Sequence, residues 1–156
     1  MRVTSMVATL AVVLAACGGE KQADNSQAAM SDSAAGAPAA TATAATGTTH
    51  KVQMTMVDGE ARYVPDQITV KPGDAIAFIN GEGGPHNVHF WADSMPAGGQ
   101  GAISMDRQLA PLQSEMLVPA GDSVVVTFAS SAPKGAYPFI CDPHGAMGMV
   151  GKVTVE

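Results

Sequence analysis

Two short stretches of this chain carry donor atoms of the kind that do chemistry. One is the run Cys141-Asp142-Pro143-His144-Gly145-Ala146-Met147-Gly148-Met149, and the other, well before it, is Gly84-Pro85-His86-Asn87-Val88. A cysteine, two histidines and a methionine form the donor set of a type 1 copper site, with His₂Cys in a plane and a weak axial Met. Thiolate and thioether suit Cu(I), while imidazole serves both oxidation states. Four protein donors leave no open position for a substrate, so the set suits an electron carrier and not an enzyme. Singly, Cys141 reads as a buried structural thiol and His86 as a surface histidine at a strand end. Pairing Cys141 with His144 as a catalytic nucleophile lacks an aimed base and a third group to orient it. It also lacks a helix N-terminus to favour the thiolate.

The elements that must position these residues follow from composition and pattern. The chain has 156 residues, of which 46% are hydrophobic, 14% charged and 4% aromatic. Its 8 basic and 14 acidic residues leave a net charge of -6, which argues against a nucleic-acid binder. Two cysteines exclude a disulfide framework and a four-thiolate metal site within one chain. Much of the apolar fraction is alanine in the first fifty residues, so a core must rest on Val, Ile, Leu and Met.

Arg2 precedes an apolar stretch, Met6 to Ala16, which ends in Leu14-Ala15-Ala16-Cys17. It is shorter than the ~20 residues a spanning helix needs and reads as a secretory signal peptide over 1–16. The Leu-Ala-Ala-Cys run resembles the lipobox of bacterial lipoproteins, which implies that Cys17 is diacylated and becomes the mature N-terminus. Several acyl chains would anchor the protein stably to a membrane. Residues 17–49 are rich in Ala and Thr, without apolar period and with almost no large side chains, and read as a disordered tether. Such a chain reaches roughly 30 Å. The protein is therefore expected outside the cytoplasm, lipid-anchored to a bacterial membrane.

Residues 50–156 read as all-β. Strands are predicted over Lys51–Val57, Gln67–Val70, Ala75–Ile79, His86–Phe90, Ser123–Phe128, Ala136–Ile140 and Met149–Val155, separated by turns such as Asp58-Gly59 and Pro72-Gly73-Asp74. Short strands with Gly, Pro and Asp turns suggest a β-sandwich. Trp91–Ser114 is too long for a structureless loop and should hold a short helix or strand.

The run from Phe139 to Val155 resembles the metal loop and last strand of the plastocyanin/azurin (cupredoxin) family. Phe78-Ile79-Asn80, Pro85-His86-Asn87-Val88 and Met95-Pro96-Ala97-Gly98 resemble the segment that carries its first histidine ligand. Tyr63-Val64-Pro65, Ile68-Thr69-Val70 and Pro72-Gly73-Asp74 are similar to its opening strands. The resemblance spans 50–156. It implies a Greek-key β-sandwich holding one type 1 copper ion that cycles between Cu(I) and Cu(II). By the same resemblance the ligands are His86, Cys141, His144 and Met149, and Asn87 hydrogen-bonds across to the cysteine loop. No other cofactor is implied.

Other residues read more plainly. Met147 lies three past His144 and Met149 five past; the longer spacing, followed by the matching final strand, favours Met149 as axial donor. Met147 then belongs to an apolar collar around the exposed edge of His144, where donor and acceptor proteins would dock. Strand alternation points His89 away from His86, His50 is expected in solvent, and Met54 with Met56 on one strand face reads as core. Ile140 stands where plastocyanins carry a tyrosine linked to a second electron exit. That route is therefore not expected here, nor is the family's photosynthetic role. Over 50–156, eleven acidic and six basic residues are dispersed, giving weak steering of basic partners. The expected function is a monomeric, membrane-tethered one-electron carrier. The alternative is a carrier or buffer that hands over the copper itself.

Overall fold

The computed structural model describes residues 44–156, so the signal peptide, Cys17 and the tether up to residue 43 lie outside the described residues. Backbone pairing begins at Thr46 and Gly47, whose amides both donate to the Gly73 carbonyl. Eleven strands follow among the described residues. They are β1 (Thr49–Val57), β2 (Glu60–Val64), β3 (Gln67–Val70), β4 (Ala75–Asn80), β5 (His89–Phe90), β6 (Ile103–Met105), β7 (Gln108–Ala110), β8 (Gln113–Ser114), β9 (Ser123–Phe128), β10 (Gly135–Ile140) and β11 (Val150–Val155). They form two sheets, ordered β2-β1-β4-β9-β6 and β3-β11-β10-β5-β8-β7. β1 runs parallel to β4 and β3 parallel to β11, while the remaining pairs are antiparallel.

Alternation explains the layering. In β4, Ile76, Phe78 and Asn80 are buried; in β10, Tyr137 and Phe139; in β11, Val153 and Val155. Each strand thus turns every second side chain inward, as period-2 patterning requires. The four Phe and two Tyr form one connected network. Tyr63 meets Phe139 edge-on at 4.7 Å between centroids, Phe78 meets Phe139 at 5.2 Å, and Phe90, Phe128 and Tyr137 extend the chain. A chain poor in aromatics concentrates all but Trp91 in its core, where edge-to-face pairs add to area burial.

Asp58 and Gly59 both have positive φ (52° and 82°) and close the β1–β2 hairpin. Two left-handed turn residues match the right-handed twist of the strands they join. The long segment after Trp91 holds two 3-10 turns, Ala92–Ser94 and Gln100–Ala102, together with β6, β7 and β8. The predicted strand over His86–Phe90 is only partly regular, because its ladder survives only at β5. His86 instead makes an isolated bridge with Leu117, and the Val88 N–H donates to the Ser114 hydroxyl oxygen. His50 is not free in solvent; its ring is half-buried against Asp74, 3.0 Å away.

Candidate metal centre

His86 and the Cys141 loop reach one end of the sandwich from different directions. His86 is pinned by reciprocal backbone bonds with Leu117, its amide donating at 3.1 Å and its carbonyl accepting at 2.8 Å. The loop spans the open end of the β10–β11 hairpin, whose last pair is Ile140 with Val150. It is closed by its own backbone: Cys141 N–H donates to Met149 O, His144 N–H to Cys141 O, and both Met147 N–H and Met149 N–H to His144 O. Gly148 has φ 88°, a left-handed conformation that ends the 3-10 turn Gly145–Met147 and that a side chain would strain. Gly145 has no room for a Cβ, which would collide with the Ile140 side chain.

This scaffold brings three donors together. Cys141 Sγ lies 3.4 Å from His144 Nδ1 and 3.7 Å from His86 Nδ1, and the two nitrogens are 3.1 Å apart. A point equidistant from the three atoms lies about 2 Å from each, close to the bond length between imidazole nitrogen and a first-row metal. The other nitrogen of His86, Nε2, faces the Glu82 carbonyl at 3.3 Å. That contact directs the proton to Nε2 and leaves the Nδ1 lone pair for a cation, as outer hydrogen bonds do at metal-bound histidines.

The electrostatics agree with the geometry. His86 and Cys141 are fully buried. Burial pushes the His86 pKa down, the neighbouring His144 adds to that, and the Glu82 carbonyl opposes it. Burial also pushes the Cys141 thiol up, against backbone hydrogen bonds from Asn87 and His144. Two imidazole nitrogens and a sulfur converge on one point. A soft cation bound there would favour loss of the thiol proton and balance the thiolate charge. The donor set therefore fits copper, with both histidines offering Nδ1.

The loop is also held from outside. Asn87 is fully buried, accepts the Asp142 N–H at Oδ1 (2.8 Å), and donates from Nδ2 to the Asp142 carboxylate (2.6 Å). Asp142 further accepts from Gln113 Nε2 and pairs with His89 Nδ1, each at 2.9 Å. Partial burial disfavours its ionisation, but hydrogen bonds from Asn87, His89 and Gln113 outweigh this and hold its pKa below the usual value. Arg62 donates to the Gly148 carbonyl at 3.1 Å, and the buried Tyr63 hydroxyl donates to Asn87 O at 2.6 Å. Sequence patterning read Asp142 as one of many dispersed surface charges. Its position next to Cys141 was the one available signal, because its partners come from distant strands.

The methionines separate by exposure. Met149 is fully buried, while Met147 is 59% exposed. His89 sits half-exposed against Asp142, apart from the three converging donors. Met56 does not join Met54 in the core: Met54 is fully buried, but Met56, near the end of β1, is 39% exposed. It lines a pocket of about 520 Å³ together with Ala61, Gly83, Met147 and the ring of His144.

Comparison with known proteins shows the family to which the chain belongs. Residues 50–156 match the family described as copper binding proteins, plastocyanin/azurin family. A plastocyanin of Nostoc punctiforme is 35% identical over 108 residues, covering 69% of this chain and 74% of that protein. A plastocyanin of Mercurialis perennis is 42% identical over 100 residues, covering 64% and 92%. Among solved structures, the oxidized form of plastocyanin from Dryopteris crassirhizoma aligns with a TM-score of 0.52 at 28% identity, covering 68% of this chain and 99% of that one. With a two-sheet sandwich carrying the converging His86, Cys141 and His144 donors, the chain belongs to the plastocyanin/azurin family of copper-binding proteins.

Proposed function

We propose that this protein is a blue copper electron carrier whose single copper ion is held by His86, Cys141, His144 and Met149. The observation that carries the reading is the triangle of Nδ1, Nδ1 and Sγ atoms with its centre at metal-bond distance. Bound copper supplies a one-electron Cu(I)/Cu(II) couple. The chain's own residues do the rest. Cys141 and the two imidazoles would hold the ion, and the buried Met149, whose backbone closes the loop, would add the weaker thioether donor. Backbone bonds and the Asn87 contacts hold the same positions in both oxidation states, which keeps the rearrangement on electron transfer small.

The ring of His144 is the exit. It reaches an apolar depression lined by Ala61, Gly83, Met56 and Met147, where a redox protein can dock briefly and exclude water. Donor and acceptor are proteins outside the cytoplasm, as the signal reading of residues 1–16 requires. Residues 50–156 form the copper domain, residues 17–49 its tether, and Cys17 its lipid anchor. The protein acts as a monomer and turns over no substrate.

The test is the visible spectrum of the copper-loaded protein before and after reduction. Intense thiolate-to-Cu(II) absorption that bleaches and returns with copper retained is expected. Copper-loaded protein without that band, or copper lost to a Cu(I) chelator at each reduction, would reject the reading. The second outcome would favour delivery of the metal itself.

A further inference from the structure

We propose that the two exposed thioethers beside His144, those of Met56 and Met147, form a capture site for Cu(I) through which the centre is loaded. The inference rests on the reading of His86, Cys141 and His144 as copper ligands and concerns how the metal reaches them.

The centre itself is closed. His86, Cys141 and Met149 are fully buried, and among the described residues His144 is the copper-ligand residue that lines this pocket. Copper entering from solvent must therefore pass that residue. Met56 and Met147 line the same pocket, from the β1 end and the 3-10 turn of the loop respectively. Met56 also extends toward the second histidine. A Cβ built on Gly83 would overlap the Met56 side chain and lie 3.6 Å from His86 Nε2, so the Met56 sulfur sits within one side-chain layer of that imidazole. Gly83, with φ 105°, keeps this space free for the thioether.

The chemistry of these two side chains differs from that of a plain apolar rim. Thioether sulfur is a soft, uncharged donor that suits Cu(I) and binds hard cations poorly. It needs no proton release, unlike the buried thiol inside. Methionine is unbranched with three rotatable bonds, so the two sulfurs can close on one ion and then release it. Glu60 lines the same pocket and pairs with Arg62, and its hard carboxylate oxygens are poor donors for Cu(I). The transfer is a ligand exchange: Cu(I) leaves the two thioethers as Cys141, His86 and His144 take it up. Copper stays Cu(I), and the Cys141 proton passes to water.

Replacing Met by Leu tests this cleanly, because the swap conserves volume and apolarity while deleting the sulfur. A docking surface made only of apolar area would not notice the change. The apoprotein is mixed with the coloured bicinchoninate complex of Cu(I), and the loss of that colour gives the loading rate. The Met56→Leu/Met147→Leu double variant is expected to load about tenfold more slowly, with each single variant in between, as two soft donors are removed. After oxidation the variant should show the same blue band as the parent. In parallel, a second equivalent of Cu(I) added to the reduced, copper-loaded parent should shift the Met56 and Met147 methyl resonances and leave buried Met54 unmoved. An unchanged loading rate with a normal blue band overturns the capture site alone, as do unmoved Met56 and Met147 resonances. Absence of the blue band in the loaded parent protein would instead reject the centre on which the inference rests.

Discussion

Asn87 and Asp142 hold each other twice. Asn87 Oδ1 accepts the Asp142 amide at 2.8 Å, and Asn87 Nδ2 donates to the Asp142 carboxylate at 2.6 Å. Asn87 directly follows His86 and Asp142 directly follows Cys141. The double bond pair therefore locks the two segments that bring imidazole and thiolate together, before any metal is present.

Asn87→Ala removes both bonds at a site that is fully buried and strands the Asp142 amide. The expected loss of stability is roughly 2–3 kcal/mol, since one of the bonds is charge-assisted and buried donors are costly to leave unpaired. Urea unfolding of the apoprotein measures it. The loaded variant should also show a shifted redox potential, because Cys141 is no longer held in place. A change of less than about 0.5 kcal/mol, the level of an ordinary surface substitution, would show that the loop holds itself.

Asp142 is the hub that Gln113 and His89 share, so removing its carboxylate acts on charge as well as on position. Asp142→Ala takes a negative charge from beside the copper thiolate and so favours Cu(I). The midpoint potential should rise by up to about 59 mV, the one-electron equivalent of a tenfold shift in preference. His89→Gln, which leaves the carboxylate in place, should move the potential much less. Equal shifts in the two variants would assign the effect to His89 instead.

The burial of Met149 and the exposure of Met147 make opposite forecasts for the two thioethers. Met149→Leu should keep copper but shift the potential, because the axial donor tunes this type of site. Met147→Leu should leave the potential within error. Voltammetry of both variants decides, and the reverse ranking would move the axial role to Met147.

At the other end of the sandwich, Asp74 ties the first strand to the turn before β4. Its carboxylate accepts the Lys71 amide at 2.9 Å, the His50 ring at 3.0 Å and the Thr48 amide at 2.8 Å. The Lys71 bond chiefly, then His50, lowers its pKa from 3.8 to about 2. A depressed carboxylate pKa stabilises the fold above the unfolded value, and that contribution is lost as pH falls through the folded one. The Asp74 contribution should thus be level above about pH 5 and fall by about 1–2 kcal/mol between pH 4 and 2, solvent screening included. Asp74→Asn should flatten this part of the profile in urea unfolding, and an unchanged slope would assign it to other carboxylates.

The anchor has its own test. Cys17→Ser should release the protein from membranes into the soluble fraction, with the blue band unchanged. Membrane attachment that persists in this variant would rule out Cys17 as the lipid site.

Much of this molecule is legible without coordinates. Alternation in Lys51–Val57 and the Asp58-Gly59 turn are local signals, because side-chain period and turn conformation are properties of neighbouring residues. The spacing of Cys141, His144 and Met149 is likewise confined to one loop, which is why the chemistry could be read from it. Tertiary structure decided what depends on residues far apart in the chain. His86 reaches Cys141 because Leu117 pins its backbone and Asn87 ties the next residue to Asp142. Asp142 becomes a hub because Asn87, His89 and Gln113 arrive from other segments. Met54 and Met56 share a strand face, yet Met54 is buried in the core while Met56 is partly exposed and lines a pocket that His144 also lines. Periodicity reports which way a side chain points; what it meets there is set by the packing of distant strands.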